Sequence, residues 1–225
     1  LDDLDTAFQG YEDLDESVRG LDRFGEQAHD IISSPTTRKA FDLSLEKPAE
    51  ATRFGRHEFG QSLLLASRLI ESGVHFVTVR LRPAEFDFDT HTDNFSRLSN
   101  LLPPFDKGLA SLIDRLKERG LFSSTAIMVA GEFGRTPKVN NQGGRDHWAR
   151  AMFALMAGGD VQGGQAIGET DKLAGEPKGA GYSPEDIAAS FFQNIGISPQ
   201  KEFQTNVGRP INLVRDGQPI KQLFL

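Results

Sequence analysis

The 225-residue sequence contains no cysteine. Disulfides, thiolate metal ligands and a cysteine nucleophile are therefore all excluded. It has no lysine- and arginine-rich run, and 25 basic against 32 acidic residues leave a formal net charge of −7. A nucleic-acid partner needs a clustered basic surface, so that class is excluded as well. No apolar stretch approaches the roughly 20 residues of a membrane-spanning helix. A G-x-S-x-G nucleophile turn is missing. The glycines at 158, 159, 163 and 164 do not form a phosphate-cradling motif ahead of a helix. Repeats and low-complexity segments are absent too. The chain opens LDDLD, with neither methionine nor a basic-then-apolar targeting segment, as expected of a mature, trimmed or shortened chain. What is present is 38% hydrophobic and 25% charged, a globular composition long enough to bury a core.

Hydrophobic spacing organises that composition. Leu1, Leu4, Phe8, Tyr11 and Leu14 predict an amphipathic helix, and Val18, Leu21, Phe24 and Ala28 predict a second. SSPTTRKAFDLSLEKPAE (33–50) reads as a connector, interrupted by two prolines. HEFGQSLLLASRLIES (57–72) predicts a helix stopped at Gly73, and the alternating, β-branched VHFVTVRL (74–81) predicts a strand after it. Pro104 and Gly120 bound another predicted helix, with Phe105, Leu109, Leu112, Ile113 and Leu116 on one face. TAIMVA (125–130) reads as a strand buried on both faces, and AMFALMAGG (151–159) as a second core strand ending in a glycine turn. SPEDIAASFFQNIG (183–196) has Ser183 as N-cap, Pro184 at the first position, two acids in the first turn and Gly196 as stop. In PINLVRDGQPIKQLF (210–224), Asp216-Gly217 between extended runs signals a hairpin. This order predicts an α/β layered sheet with flanking helices, one domain over 1–225 with 1–56 a mainly helical leading segment.

Two loops hold the candidate chemistry, each behind a predicted strand. One contains Asp89-Thr90-His91, and the other, GEFGRTPKVNNQGGRDHW (131–148), contains Glu132, Arg135 and the pair Asp146–His147. The helix between the two strands predicts a parallel crossover, which brings both loops to one sheet edge, where ligands bind in open α/β sheets. Carboxylates with neutral imidazoles suit zinc, manganese or iron, whereas all-oxygen sites suit calcium or magnesium. Plainer readings stand beside this one. Glu132 and Arg135 make an ordinary surface ion pair, and Asp146–His147 makes a structural hydrogen-bonded pair.

AFDLS (40–44), FGQSLLLASRLIESGVHFVTV (59–79), D-T-H (89–91), GEFGRTP (131–137), GRDHW (144–148) and GGDVQGGQAIGETD (158–171) together resemble the family called domain of unknown function 1501. GEFGRTP followed closely by GRDHW is the specific part of the match. The resemblance implies an alkaline phosphatase- and sulfatase-like α/β core with metal ligands on loops after the strands. It implies Asp89 and His91 as a metal-binding pair, and Glu132 at the place of the aspartate in an S-D-H-G-like turn. Phe133 replaces the adjacent histidine of that turn. His147 resembles the histidine that closes the metal site, with Asp146 as a further ligand or the group that orients it. Relatives of this superfamily take another metal aspartate and a Ser, Thr or modified Cys nucleophile from an early strand and loop. Neither has a match here, so the chain is expected to correspond to the C-terminal part of the fold.

The activity so implied is metal-dependent hydrolysis of phosphate or sulfate esters, with zinc first and manganese or calcium as alternatives. Arg135 and Arg145 are the candidates to hold the anionic group, since a guanidinium matches oxyanions bidentately. The expected substrate is a small anionic ester or a sulfated or phosphorylated glycan, met in the periplasm or outside the cell. The alternative is a non-catalytic exported module that retains the fold; Phe133 and the unmatched nucleophile favour it.

Overall fold

Two prolines that read as interruptions in the sequence instead start helices. Pro35 takes the first turn of α1 (Pro35–Phe41), where the Ser34 side chain accepts from the Thr37 N–H at 3.4 Å. Pro48 likewise opens α2 (Pro48–Phe54), after a 3-10 turn at Leu43–Leu45. The first N–H groups of a helix have no intrahelical partner, so proline loses nothing there. The connector expected at 33–50 is thus largely helical. The computed structural model describes residues 25–26, 29, 34–81, 87–179, 181–205 and 207–225. The helix predicted through Leu1, Leu4, Phe8, Tyr11 and Leu14 lies outside the described residues, as do Val18, Leu21, Phe24 and Ala28 of the second.

α3 (Glu58–Glu71) falls where its periodicity places it, capped by His57, whose Nδ1 accepts from Gly60 N–H at 3.1 Å. α4 (Asn94–Glu118) starts ten residues before the expected Pro104 and carries Pro103 and Pro104 inside it. Those prolines withdraw two N–H groups from the helical ladder. The early start is possible because a distant loop supplies acceptors: Asp93 N–H reaches Gln142 O at 3.1 Å and Asn94 N–H reaches Gly143 O at 3.0 Å. Helix-start donors that would otherwise be orphaned are satisfied from outside.

The core lies among α2, α3 and α4, where Phe54, Phe59, Leu63, Leu64, Leu112 and Leu116 are buried together. Each such side chain contributes roughly 1.5–3 kcal/mol on burial. Phe59 stacks on Phe105 at 5.5 Å, and Phe88 meets Phe105 edge-on at 6.0 Å. Across this core runs a buried charge network. Arg115, 2% exposed, donates from Nε to Glu71 at 2.7 Å, from Nη2 to Glu46 at 2.9 Å and from Nη1 to Glu50 at 3.2 Å.

The strands are shorter than expected and pair in two-stranded sheets. Residues 74–81 take part in no strand pairing among the described residues, and Val79 and Leu81 pack partly buried against the helical core. That packing accounts for the alternating pattern, which reports side-chain burial rather than pairing itself. β1 (Ile127–Ala130) pairs antiparallel with β4 (Ala154–Ala157), and no parallel pair occurs among the described residues. Both strands sit within expected limits, yet this two-stranded sheet is not covered on both faces: Met128 is 42% and Leu155 44% exposed. β2 (Gly134–Arg135) and β3 (His147–Trp148) form a second antiparallel pair between them.

α5 (Pro184–Asn194) has the expected cap, with Ser183 and Asp186 in a reciprocal capping box. The C-terminal hairpin is formed by β5 (Glu202–Gln204) and β6 (Pro210–Asn212), not around Asp216-Gly217. Gln218 N–H is taken by Asp186 Oδ1 at 2.8 Å and Ile220 N–H by Ser190 Oγ at 2.9 Å. With those donors turned to α5, the tail closes in a 3-10 turn at Lys221–Phe224 instead of a strand. The described residues thus combine helices with three small antiparallel sheets. No helix among them is long and apolar enough to cross a membrane.

Candidate metal centre

The two-residue ladder of β2 and β3 takes the first step in building the site. It sets Arg135 opposite His147 and Gly134 opposite Trp148. Opposed residues of an antiparallel pair project to the same side, so Arg135 and His147 emerge together. Thr136 N–H extends the ladder to Asp146 O at 2.8 Å. The chain between the strands is a turn organised by Asn140, whose Oδ1 accepts from Gln142 N–H and Gly144 N–H, each at 2.9 Å.

The D-T-H segment is fixed from two sides. Phe88 ties it to the helical core through Phe105, and Thr90, 1% exposed, donates to Asn94 Oδ1 at 2.6 Å. Arg145 N–H bonds Thr90 O at 3.0 Å, and Thr92 bridges to Gly143. The loop backbones run close at Gly144, where a Cβ would lie 1.8 Å from the His91 carbonyl oxygen. Only glycine permits this approach. Gly144→Ala is therefore expected to part the loops and to weaken any divalent-metal binding there roughly tenfold or more, the scale of a lost supporting contact; competition titration against a chelating dye would measure it.

These supports bring Asp89 Oδ1, His91 Nε2 and His147 Nε2 together. Each imidazole nitrogen is 3.0 Å from the carboxylate oxygen, and the two nitrogens are 3.2 Å apart. Neighbouring donors on one ion, with bonds of about 2.0–2.1 Å, lie roughly 3.0–3.4 Å from each other. These residues therefore have the spacing of metal ligands. Arg135 Nη2 also contacts Asp89 Oδ1. The bond from His147 and then the Arg135 guanidinium hold the Asp89 carboxyl at about 2. His91 and then Asn140 hold the Asp146 carboxyl below its usual range.

The protons test whether these residues fit a cation. Asp146 Oδ1 lies 2.9 Å from His91 Nδ1 and, as a carboxylate, accepts that ring N–H. In the neutral ring this leaves the Nε2 lone pair facing the Asp89 carboxylate, two electron-rich groups at 3.0 Å. Such a contact calls for a positive centre between them: the Nε2–H of His147, which lies 3.2 Å from His91 Nε2 and 3.0 Å from Asp89 Oδ1, or a metal ion. A carboxylate–histidine arrangement behind a carboxylate and a second imidazole is a donor set suited to zinc and its neighbours.

The other expected residues are placed differently. Glu132 is exposed and lies outside this group. Asp146 stands behind His91. Arg145 donates to Thr136 O at 2.8 Å and Pro137 O at 3.0 Å and covers the Phe95 ring at 5.7 Å, so it braces the loop. Phe133 packs its ring 4.2 Å from that of His147. Sequence reasoning passed over Asn140, Thr90 and Gly144. The available signal was the spacing in N-N-Q-G-G, where an Asn carboxamide can cap N–H groups two and four residues on.

The family described as Protein of unknown function (DUF1501) matches residues 1–224. Comparison with curated proteins gives no match, and comparison with solved structures gives none.

Proposed function

We propose that this chain, which belongs to the protein family of unknown function DUF1501, is a metal-dependent hydrolase of phosphate or sulfate esters. We include in that proposal an alkaline phosphatase- and sulfatase-like core. The supporting observation is the convergence of Asp89 Oδ1, His91 Nε2 and His147 Nε2 within 3.0–3.2 Å of one another. Two imidazoles favour zinc or manganese over calcium, which prefers oxygen throughout. Once bound, the ion would supply Lewis acidity to an ester oxygen and lower the pKa of a bound water.

The chain's own residues define the remaining roles. Asp146 fixes the His91 ring so that Nε2 faces inward. Arg135, whose guanidinium contacts Asp89, would pair with the anionic group. A shallow cavity bordered by Lys138, Asn140, Asn141 and Asp146 receives the rest of the ester. Thr136 Oγ1 donates to Lys138 O at 2.8 Å and accepts from Asp146 N–H at 3.1 Å, a structural use. Thr90 is buried, so neither threonine is assigned as nucleophile.

A panel of aryl phosphates, phosphodiesters and aryl sulfates, assayed with zinc and with manganese, tests the reading. Turnover that falls about a hundredfold in Arg135→Ala, the scale of a lost transition-state clamp, would support it. The second reading is a non-catalytic module, favoured by Phe133 against His147 where a histidine is expected from the resemblance. It predicts no turnover of any panel member by metal-loaded protein.

A further inference from the structure

Asn140 is a side chain outside the ligand set that touches both halves of the centre. Its Nδ2 donates to the His91 carbonyl at 3.0 Å and to Asp146 Oδ1 at 3.2 Å. Its Oδ1 is occupied by Gln142 N–H and Gly144 N–H, and its own N–H donates to Gly144 O at 2.9 Å. Every hydrogen-bonding capacity of the carboxamide is therefore used, and amide orientation follows from the network, since two N–H donors flank one end and two acceptors the other. The Asp146 oxygen that accepts from Asn140 is the same one that accepts from His91 Nδ1.

That shared oxygen gives the contact a consequence beyond loop shape. A carboxylate held by one long ring alone can rotate and leave Nδ1 without an acceptor. The imidazole proton then redistributes between the two nitrogens, and a proton on Nε2 blocks a metal. We infer that Asn140 is a positioning residue: by gripping Asp146 and the His91 backbone together, it fixes His91 as the Nδ1–H tautomer with Nε2 turned to Asp89 and His147. The inference rests on the metal reading for its purpose, but the tautomer is measurable without metal.

Asn140→Asp separates this role from simple turn formation. The new carboxylate still accepts from Gln142 and Gly144, so the turn is kept. It has no N–H for the His91 carbonyl, and it sets like charge against Asp146. Gln142→Glu adds the same charge two residues away and breaks none of these bonds. Long-range proton–nitrogen NMR of the metal-free full chain, at a pH where the ring is neutral, reads the tautomer directly. The wild type and Gln142→Glu are expected to show His91 protonated on Nδ1, and Asn140→Asp a mixture of both forms. Zinc affinity should fall about 10–100-fold in Asn140→Asp, the range for supporting groups behind a ligand. Asn140→Ser, which keeps a polar turn residue and removes the Nδ2 donor, should move His91 the same way; it serves if Asn140→Asp does not fold. An unchanged His91 tautomer in the folded variants, or an equal shift in Gln142→Glu, overturns the inference. Should wild-type protein bind no zinc, the metal reading falls and the tautomer comparison alone decides the role of Asn140.

Discussion

Arg115→Ala is expected to destabilise the protein by about 3–5 kcal/mol, the range for removing one partner of a buried charge network. The arginine is 2% exposed, while Glu46, Glu50 and Glu71 keep only 12%, 27% and 25% of their side-chain surface. Burial alone lowers the arginine pKa, but the Glu71 and Glu46 hydrogen bonds outweigh it and raise the value overall. Without the guanidinium, Glu46, Glu50 and Glu71 lose their shared partner, and Glu46 is left with Arg68, Glu50 with Arg53 and Glu71 with Arg119. Urea unfolding of Arg115→Ala, and of Arg115→Met with Glu46→Gln and Glu71→Gln, would separate lost charge from lost packing. The triple variant should recover most of the stability. The same network predicts acid sensitivity. The Arg115 hydrogen bond holds the Glu46 carboxyl below its ordinary 4.5. Its contribution is therefore complete above that pH and is lost as the pH falls through the depressed value. Unfolding free energy measured downward from pH 6 should decline in the wild type and change less in Glu46→Gln.

Loss of a metal ligand is expected to have the largest effect on the site. Asp89→Ala and His147→Ala should each weaken zinc binding more than a hundredfold, beyond the 10–100-fold typical of groups that only support ligands. Removing Asp89 also strips Arg135 of its carboxylate, and removing His147 takes away the ring that packs against Phe133. Glu132→Ala should bind zinc within about twofold of wild type, a spread set by ordinary surface substitutions of up to ~0.5 kcal/mol. A titration monitored by isothermal calorimetry distinguishes these outcomes. Equal losses in all three variants would place Glu132 inside the centre.

Local signals carried far in this chain, and non-local ones did not. The N-caps at Ser183 and the periodicity of α3 are contained within a few residues, and both were legible from spacing alone. The start of α4 was not, because its first donors are satisfied by Gln142 and Gly143, nearly fifty residues away. The segment 74–81 alternates as a strand does, yet the pattern records only which side chains are buried, and pairing needs a partner that local sequence does not reveal. At the site, Asp89, His91 and His147 were visible as residue types suited to a metal. Asp146 was visible too, with its role as ligand or orienter left open, and the 2.9 Å contact to His91 Nδ1 places it behind the ligand. Asn140 was invisible because an asparagine in a polar turn is ordinary. Its importance lies in the Asp146 oxygen that it shares with a histidine 49 positions earlier in the chain.

The central claim is that Asp89, His91 and His147 hold a divalent metal. Elemental analysis of purified protein dialysed against zinc tests it most directly, with Asp89→Ala and His147→Ala prepared in parallel. The account predicts close to one zinc per wild-type chain and little in either variant. Zinc absent from all three preparations, or equal in all three, would contradict it.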